Sequence, residues 1–307
     1  MPRLFHKQVV ERARPTRRQA LLAATRKLKR ARLHYGHGTD NALDDAAALL
    51  VHALRLKGAL TDAALARPLG VAAGKRFDGL VARRIAERMP VVYLTHRCWF
   101  AGLPMYVDER VLIPRSPIAE LVEARFSPWV NAQQVRRILD VGTGSGCIAI
   151  ACALAFPGAR VDAVDISPDA LAVARINRRE FGLSRRLQLL ESDYFAALKG
   201  RRYDIIVSNP PYVGTAEFWR LPREYAHEPA GALRAGRDGM DAVRVLLREA
   251  ARHLTPAGVL VVEVGNTEAR VRRALPQVPF VWLSFARGGG GVFLLTAQQL
   301  RAAGFDS

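Results

Sequence analysis

The chain has 307 residues, half of them hydrophobic, three cysteines and a formal net charge of +18. That length suits about two domains on a prior of ~150 residues each. No apolar run approaches the ~20 residues of a membrane helix, and no apolar leader follows the basic N-terminus, so the expectation is a soluble cytoplasmic chain without membrane contact. Cys98, Cys147 and Cys152 have no metal-ligand spacing, which fits a reducing compartment and a metal-free protein. The positive balance is compatible with a nucleic-acid or ribosomal partner, and equally with an Arg- and Ala-rich composition bias.

Basic residues run from Arg3 through Arg32, with Glu11 the single acid among them. Leu21, Leu22, Thr25, Leu28 and Leu33 fall at helical spacing. Residues 1–37 therefore read as a basic amphipathic helix whose polar face is either solvated or turned to RNA or the ribosome. Gly36-His37-Gly38 breaks it, Thr39 or Asp40 caps a second helix carrying Leu43, Ala46, Leu49, Leu50, Ala53 and Leu54, and Gly58 ends that helix. A short helix over 61–67 and a longer one over 75–89, with Phe77, Leu80, Val81, Ile85 and Met89 on one face, complete a helical domain of residues 1–90.

The period then changes. Val92, Leu94, Trp99, Phe100, Leu103, Tyr106 and Val107 suggest strands, with a turn at Gly102-Leu103-Pro104, so residues 91–115 read as a β-hairpin linker. Ser116 as N-cap and Pro117 at the first helical position open a helix to about Phe126 and with it a third segment, 116–307. From Arg136 strands and helices alternate: strands at 138–141, 159–165, 187–190, 203–208 and 258–264, helices at 147–156, 168–181, 240–254 and 267–275. Strands at 280–285 and 292–296 close the chain as an antiparallel hairpin, while 213–238 is a long loop, a length usually reserved for function. This is an α/β chain with a mostly parallel, Rossmann-like sheet covered on both faces.

Chemistry-bearing residues gather at the strand ends. Asp140-Val141-Gly142-Thr143-Gly144-Ser145-Gly146 links the first strand to the first helix, where glycines permit a sharp turn and close approach of a ligand. Such a loop also occurs in dinucleotide sites. Asp140 can hold an ammonium directly or through water. Asp165 stands where a ribose diol is bound, followed by Ile166. Asp193 can accept from an adenine amino group, with Tyr194 or Phe195 packing on the ring. The fourth strand ends in Ser208-Asn209-Pro210-Pro211-Tyr212. Neither proline has an N–H, and Pro210 holds Asn209 extended, so the turn is rigid. The Asn209 side-chain oxygen and Pro210 carbonyl can accept both N–H bonds of a planar NH₂ group, with Tyr212 packed on its face and Pro211 stiffening the turn.

Three acids on successive strand ends, followed by Asn-Pro-Pro-Tyr, resemble the class I S-adenosylmethionine-dependent methyltransferases. Asn-Pro-Pro-Tyr is similar to motifs in adenine-N6 DNA, guanine-N2 RNA and protein glutamine-N5 methyltransferases, and does not choose between them. The flanks Tyr93-Leu94-Thr95-His96, Trp99-Phe100-Ala101-Gly102-Leu103 and Val111-Leu112-Ile113-Pro114-Arg115 resemble the protein-(glutamine-N5) methyltransferase family over nearly the whole chain. Gly36 to Leu43, Tyr106 to Arg110 and Arg115-Ser116-Pro117-Ile118-Ala119-Glu120-Leu121 look like its branch acting on large-subunit ribosomal protein three rather than the release-factor branch. Tyr194 stands where the family commonly has Trp. The resemblance implies S-adenosylmethionine as donor, S-adenosylhomocysteine as product, no metal, and a substrate glutamine at Asn209 to Tyr212. A loop with Glu224, His227, Glu228 and Pro229 lies just beyond, and the reaction needs no strong base from His227.

Overall fold

The computed structural model describes residues 14–305. The basic residues Arg3, Lys7 and Arg12 lie outside the described residues. The chain divides into two compact units, one ending at Thr95 and one beginning at His96.

The first unit is helical: α1 (Arg17–Arg30), α2 (Ala42–Leu54), α3 (Asp62–Ala66), α4 (Val71–Ala86) and α5 (Val91–Thr95). Leu28, Leu49, Leu50, Phe77 and Val81 are buried, each contributing about 1.5–3 kcal/mol on leaving water. Leu22 and Leu43, expected on the apolar faces, are exposed instead. The cap of α2 is Asn41, whose Oδ1 accepts from Leu43 N at 2.9 Å and Asp44 N at 3.1 Å. Thr39 instead hydrogen-bonds Asp45. The helix stops at Arg55 in a left-handed conformation, three residues before Gly58. A buried ion pair, Arg84 Nε to Asp45 at 2.7 Å, ties α4 to α2, and Arg84 also donates to the His34 carbonyl. Val91–Thr95 is helical, not a strand. Tyr93 and Leu94 donate to the Pro90 carbonyl, and the first four residues of the turn are buried.

The second unit opens with an antiparallel hairpin, β1 (Cys98–Phe100) and β2 (Leu103–Met105). Its turn is Ala101-Gly102, both at positive φ, and Leu103 and Pro104 belong to the strand. Then come α6 (Ile118–Glu123), β3 (Arg137–Val141), α7 (Cys147–Ala155), β4 (Arg160–Asp165), α8 (Pro168–Glu180), β5 (Leu187–Glu191) and β6 (Tyr203–Ser208). The chain continues through α9 (Thr215–Phe218), α10 (Asp241–His253), β7 (Leu254–Glu263), α11 (Glu268–Ala274), β8 (Val281–Trp282), β9 (Val292–Thr296) and α12 (Ala297–Ala302). The sheet order is β5-β4-β3-β6-β7-β9-β8. Its first five strands are parallel, and β9 runs antiparallel to both β7 and β8.

Alternate strand residues feed two cores. Ile138, Val161, Ala163, Ile205 and Val207 pack with α6 and α7 on one face. Leu139, Val164, Ile206, Leu260 and Val262 pack with α10 and α12 on the other. Strands buried on both faces read as continuous apolar runs. On α8 the buried positions are Ala170, Leu171, Val173, Ala174 and Asn177, while Ile176 is exposed. Ser116 lies one residue before the cap of α6, yet its hydroxyl accepts from Ile118 N at 3.1 Å. Among the described residues no helix is long and apolar enough to cross a membrane.

Candidate active site

The register sets Asp140 opposite Val207, Val141 opposite Ser208, and Asp165 opposite Glu191. Asp140, Asp165, Asp193 and Asn209 therefore lie at or just past the carboxyl ends of four neighbouring parallel strands. At ~4.8 Å per strand they line a strip roughly 15 Å long. Strand order reverses between β3 and β6, the position where open α/β sheets bind ligands. Ser208 Oγ donates to the Val141 carbonyl at 2.7 Å and locks the two strand ends together.

Asp140 is buried and organises the glycine loop with one oxygen. Its Oδ2 accepts from Thr143 Oγ1 at 2.6 Å and Ala149 N at 3.1 Å. Its Oδ1 is buried with no hydrogen-bond partner among the described residues. Burial pushes this carboxyl up to about 7, against the pull of the Thr143 and Ala149 bonds. Gly142 and Gly144 have φ of 72° and 55°, and a Cβ on either would meet nothing within 4 Å, so the backbone is open on the ligand side. Gly146 packs instead: a Cβ there would lie 3.2 Å from that of Ala174. Ser145 is buried, and its carbonyl accepts from Asn177 Nδ2 at 2.9 Å.

Asp165 accepts from Gly144 N at 2.8 Å and Ser167 N at 2.9 Å, one bond on each oxygen. Each carboxylate oxygen keeps a lone pair for a further donor. Burial raises this carboxyl as well. Ile166 is 67% exposed, a bare apolar side chain at the strand end. Asp193 is exposed and Tyr194 half-buried at φ 45°. Phe195 is buried and stacks on His253 at 4.8 Å, so of the two candidate aromatics it belongs to the core.

At the fourth strand end, Asn209 Oδ1 is buried and has no hydrogen-bond partner among the described residues. No backbone hydrogen bond reaches the Pro210 carbonyl among them either. Tyr212 is fixed from behind. Its carbonyl accepts from Thr267 Oγ1 at 2.7 Å, its hydroxyl donates to Glu263 Oε1 at 3.4 Å, and its ring lies on Gly265. Burial, then the Glu263 charge, raises the phenol, so Tyr212 is protonated at neutral pH and is no base.

The residues that brace this turn carry no direct signal in the local sequence. Glu263, at the end of β7, is buried and accepts from Ser116 Oγ; burial pushes it up to about 7. Glu228 accepts from Ile113 N at 3.2 Å and pairs with Arg115 at 2.9 Å, tying the 213–238 loop to the segment before α6. Asn177 accepts from Tyr106 N at 2.7 Å and donates to the Tyr106 and Ser145 carbonyls. Only the position of Ile113 to Ser116 and Tyr106 in the family-like flanks hinted at these roles. His227 ends a 3₁₀ turn, Arg223–His227, and is half-buried.

Topology and strand-end pattern together define a class I S-adenosylmethionine-dependent methyltransferase fold. The Methyltransferase small domain family matches residues 126–227. The solved catalytic domain of hMettl16, in complex with a MAT2A 3′UTR hairpin, has a similar fold: TM-score 0.51 at 15% identity, covering 73% of this chain and 81% of that one. The chain belongs to the family of ribosomal protein uL3 glutamine methyltransferases. The relative of that name from Bordetella pertussis is 46% identical over 286 residues, 93% of this chain and 96% of its own length. That from Neisseria gonorrhoeae is 46% identical over 93% of this chain and 95% of its own.

Proposed function

We propose that the chain transfers a methyl group from S-adenosylmethionine to the side-chain amide nitrogen, N5, of a glutamine in ribosomal protein uL3. S-Adenosylhomocysteine is the other product. The observation that carries the chemistry is the buried, unpartnered Asn209 Oδ1 beside the Pro210 carbonyl. An orphaned buried acceptor costs about 1–3 kcal/mol, and a primary amide, with two N–H groups, relieves it. The choice of uL3 rests on the uL3 glutamine methyltransferases that match nearly the whole chain. Residues 1–90 are assigned to recognition of that protein substrate, 91–115 to linking, and 116–307 to catalysis in the cytoplasm.

The residues present fit S-adenosylmethionine. Asp140 Oδ1 is a second orphaned acceptor, suited to an ammonium. Asp165 retains acceptor capacity for a diol, and Asp193 for an amino group. Ile166 and Tyr194 offer surfaces to a purine. Gly142, Thr143, Gly144, Ser145 and Gly146 form the backbone cradle. When bound, the donor supplies a methyl group already activated on a sulfonium.

The protein's task is orientation. An amide nitrogen is a poor nucleophile because its lone pair is delocalised into the carbonyl. Asn209 Oδ1 and the Pro210 carbonyl accept its two N–H bonds and turn the lone pair toward the methyl, while Tyr212 packs on the flat amide. Such positioning is worth several kcal/mol of the ~7–11 available from orientation. The proton leaves to water during or after transfer.

The test is labelled S-adenosylmethionine with ribosomal proteins, release factors and RNA from cells lacking this activity. Label in uL3 is expected. Label in a release factor, or in nucleic acid and removed by nuclease, overturns the reading.

A further inference from the structure

The charge is unevenly placed. Residues 14–95 hold sixteen Lys or Arg against six Asp or Glu, whereas residues 96–307 hold twenty-seven against twenty-one. A composition bias acting alone would raise both units alike. Within the first unit, Arg83 and Arg84 of α4 each meet a carboxylate. Of the α1 cations, Arg18 alone does so among the described residues, reaching Asp62. Arg26, Lys27, Lys29, Arg30 and Arg32 are exposed and have no ion pair among the described residues.

Helix geometry gathers these cations. Arg26 stands three residues before Lys29 and four before Arg30, on one surface one turn apart. The opposite face, Leu21, Ala24, Thr25 and Leu28, is buried in the unit's own core. Like charges at these spacings weaken a helix, and no acid in α1 offsets them. Beside the stripe runs an open groove of ≈ 680 Å³ lined in part by Gln19, Ala23, Lys27, Gly74 and Lys75.

We infer that the exposed face of α1, centred on Arg26, Lys29 and Arg30, binds the phosphate backbone of ribosomal RNA. A membrane surface would need an apolar face beside the cations, and α1 has spent its apolar face on the core, leaving Leu22 as its one large exposed apolar residue. The choice of RNA among polyanions rests on the ribosomal substrate proposed above. Binding of this kind releases counterions, so it is steeply salt-dependent and indifferent to sequence.

The experiment measures anisotropy of a fluorescein-labelled single-stranded RNA with the full chain across a salt series. The comparison is the variant Arg26→Gln/Lys29→Gln/Arg30→Gln. Its substitutions are exposed, where stability changes are small. Each phosphate contact contributes about 0.7 to the slope of log affinity on log salt, so the variant's slope should be shallower by about 2. Arg26→Lys/Arg30→Lys should retain the wild-type slope. Equal slopes for wild type and triple variant overturn the inference. So does stripe-dependent binding to phosphatidylserine vesicles with none to RNA. The binding measurement needs no turnover: if isolated uL3 were not methylated, the functional reading would fail while the RNA result stood.

Discussion

Replacing Asn209 with Ala removes an acceptor that the folded chain does not use for itself. Asn209 Oδ1 is buried without a partner, so its loss forfeits no intramolecular hydrogen bond and removes a desolvated polar atom. Deleting an unsatisfied buried group is neutral or stabilising, and the lost contacts of one half-buried side chain hold the net change within about 1 kcal/mol. Catalysis responds differently. The oxygen is engaged when the substrate amide is held for attack, and removing one preorganised partner of this kind costs about 2.7–4 kcal/mol, or 10²–10³ in kcat. The assay pairs single-turnover methyl transfer at saturating S-adenosylmethionine with thermal unfolding of the ligand-free variant. The expected outcome is a rate lower by two to three decades at an unchanged melting temperature. A near wild-type rate would refute the role of Asn209. A fall in stability of more than about 2 kcal/mol would refute the claim that its oxygen is idle in the folded chain.

Asp140 and Glu263 sit at about 7 in the folded chain because burial disfavours their charged forms. Folded protein therefore binds more protons than unfolded between about pH 4 and 7, and their contribution to stability is complete below that window and lost as pH rises through it. Differential scanning fluorimetry of Asp140→Asn should show a weaker decline from pH 5 to 8 than wild type; a steeper decline would contradict the assignment. Gly265→Ala would place a Cβ 2.6 Å from Tyr212 Cε2 at a φ of 46°. A left-handed Ala costs about 1–2 kcal/mol, and the displaced ring should raise KM for uL3; an unchanged KM would show that Tyr212 does not touch substrate. Asp45→Ala removes the carboxylate paired with Arg84, which is 2% exposed. Breaking a buried pair this way costs about 3–5 kcal/mol, read as a lower urea midpoint; a cost below about 1 kcal/mol would show that water reaches the guanidinium.

The central sheet was legible because its strands are buried on both faces. Ile138-Leu139 and Ile205 to Val207 stand as apolar runs, followed by Asp140 and Ser208 at the strand ends. Once strand order follows from the alternation, topology alone brings Asp140, Asp165, Asp193 and Asn209 to one edge. Short elements were not legible. Val91–Thr95 is rich in β-branched residues, yet one turn is too short to show a period, and the Pro90 carbonyl decides for helix. Thr39 looked like the cap because it precedes the helix, but Asn41 lies in range of the first-turn N–H groups and Thr39 is engaged by Asp45. The bracing of the Asn-Pro-Pro-Tyr turn was invisible for another reason. Ser116 and Glu263 are 147 residues apart, and Arg115 and Glu228 are 113 apart. No local pattern can announce such pairs. Asp140 was legible at the end of its strand, but its hold on Thr143 and Ala149 appears only once the loop is folded.

The most direct test of the central claim is tandem mass spectrometry of uL3 after incubation with this chain and S-adenosylmethionine, starting from unmethylated protein. The expected spectrum places a single added methyl on a glutamine side chain, and it disappears with Asn209→Ala. A methyl on a lysine, an arginine or the terminal amine, or none on uL3 while RNA in the same mixture is methylated, would contradict the account.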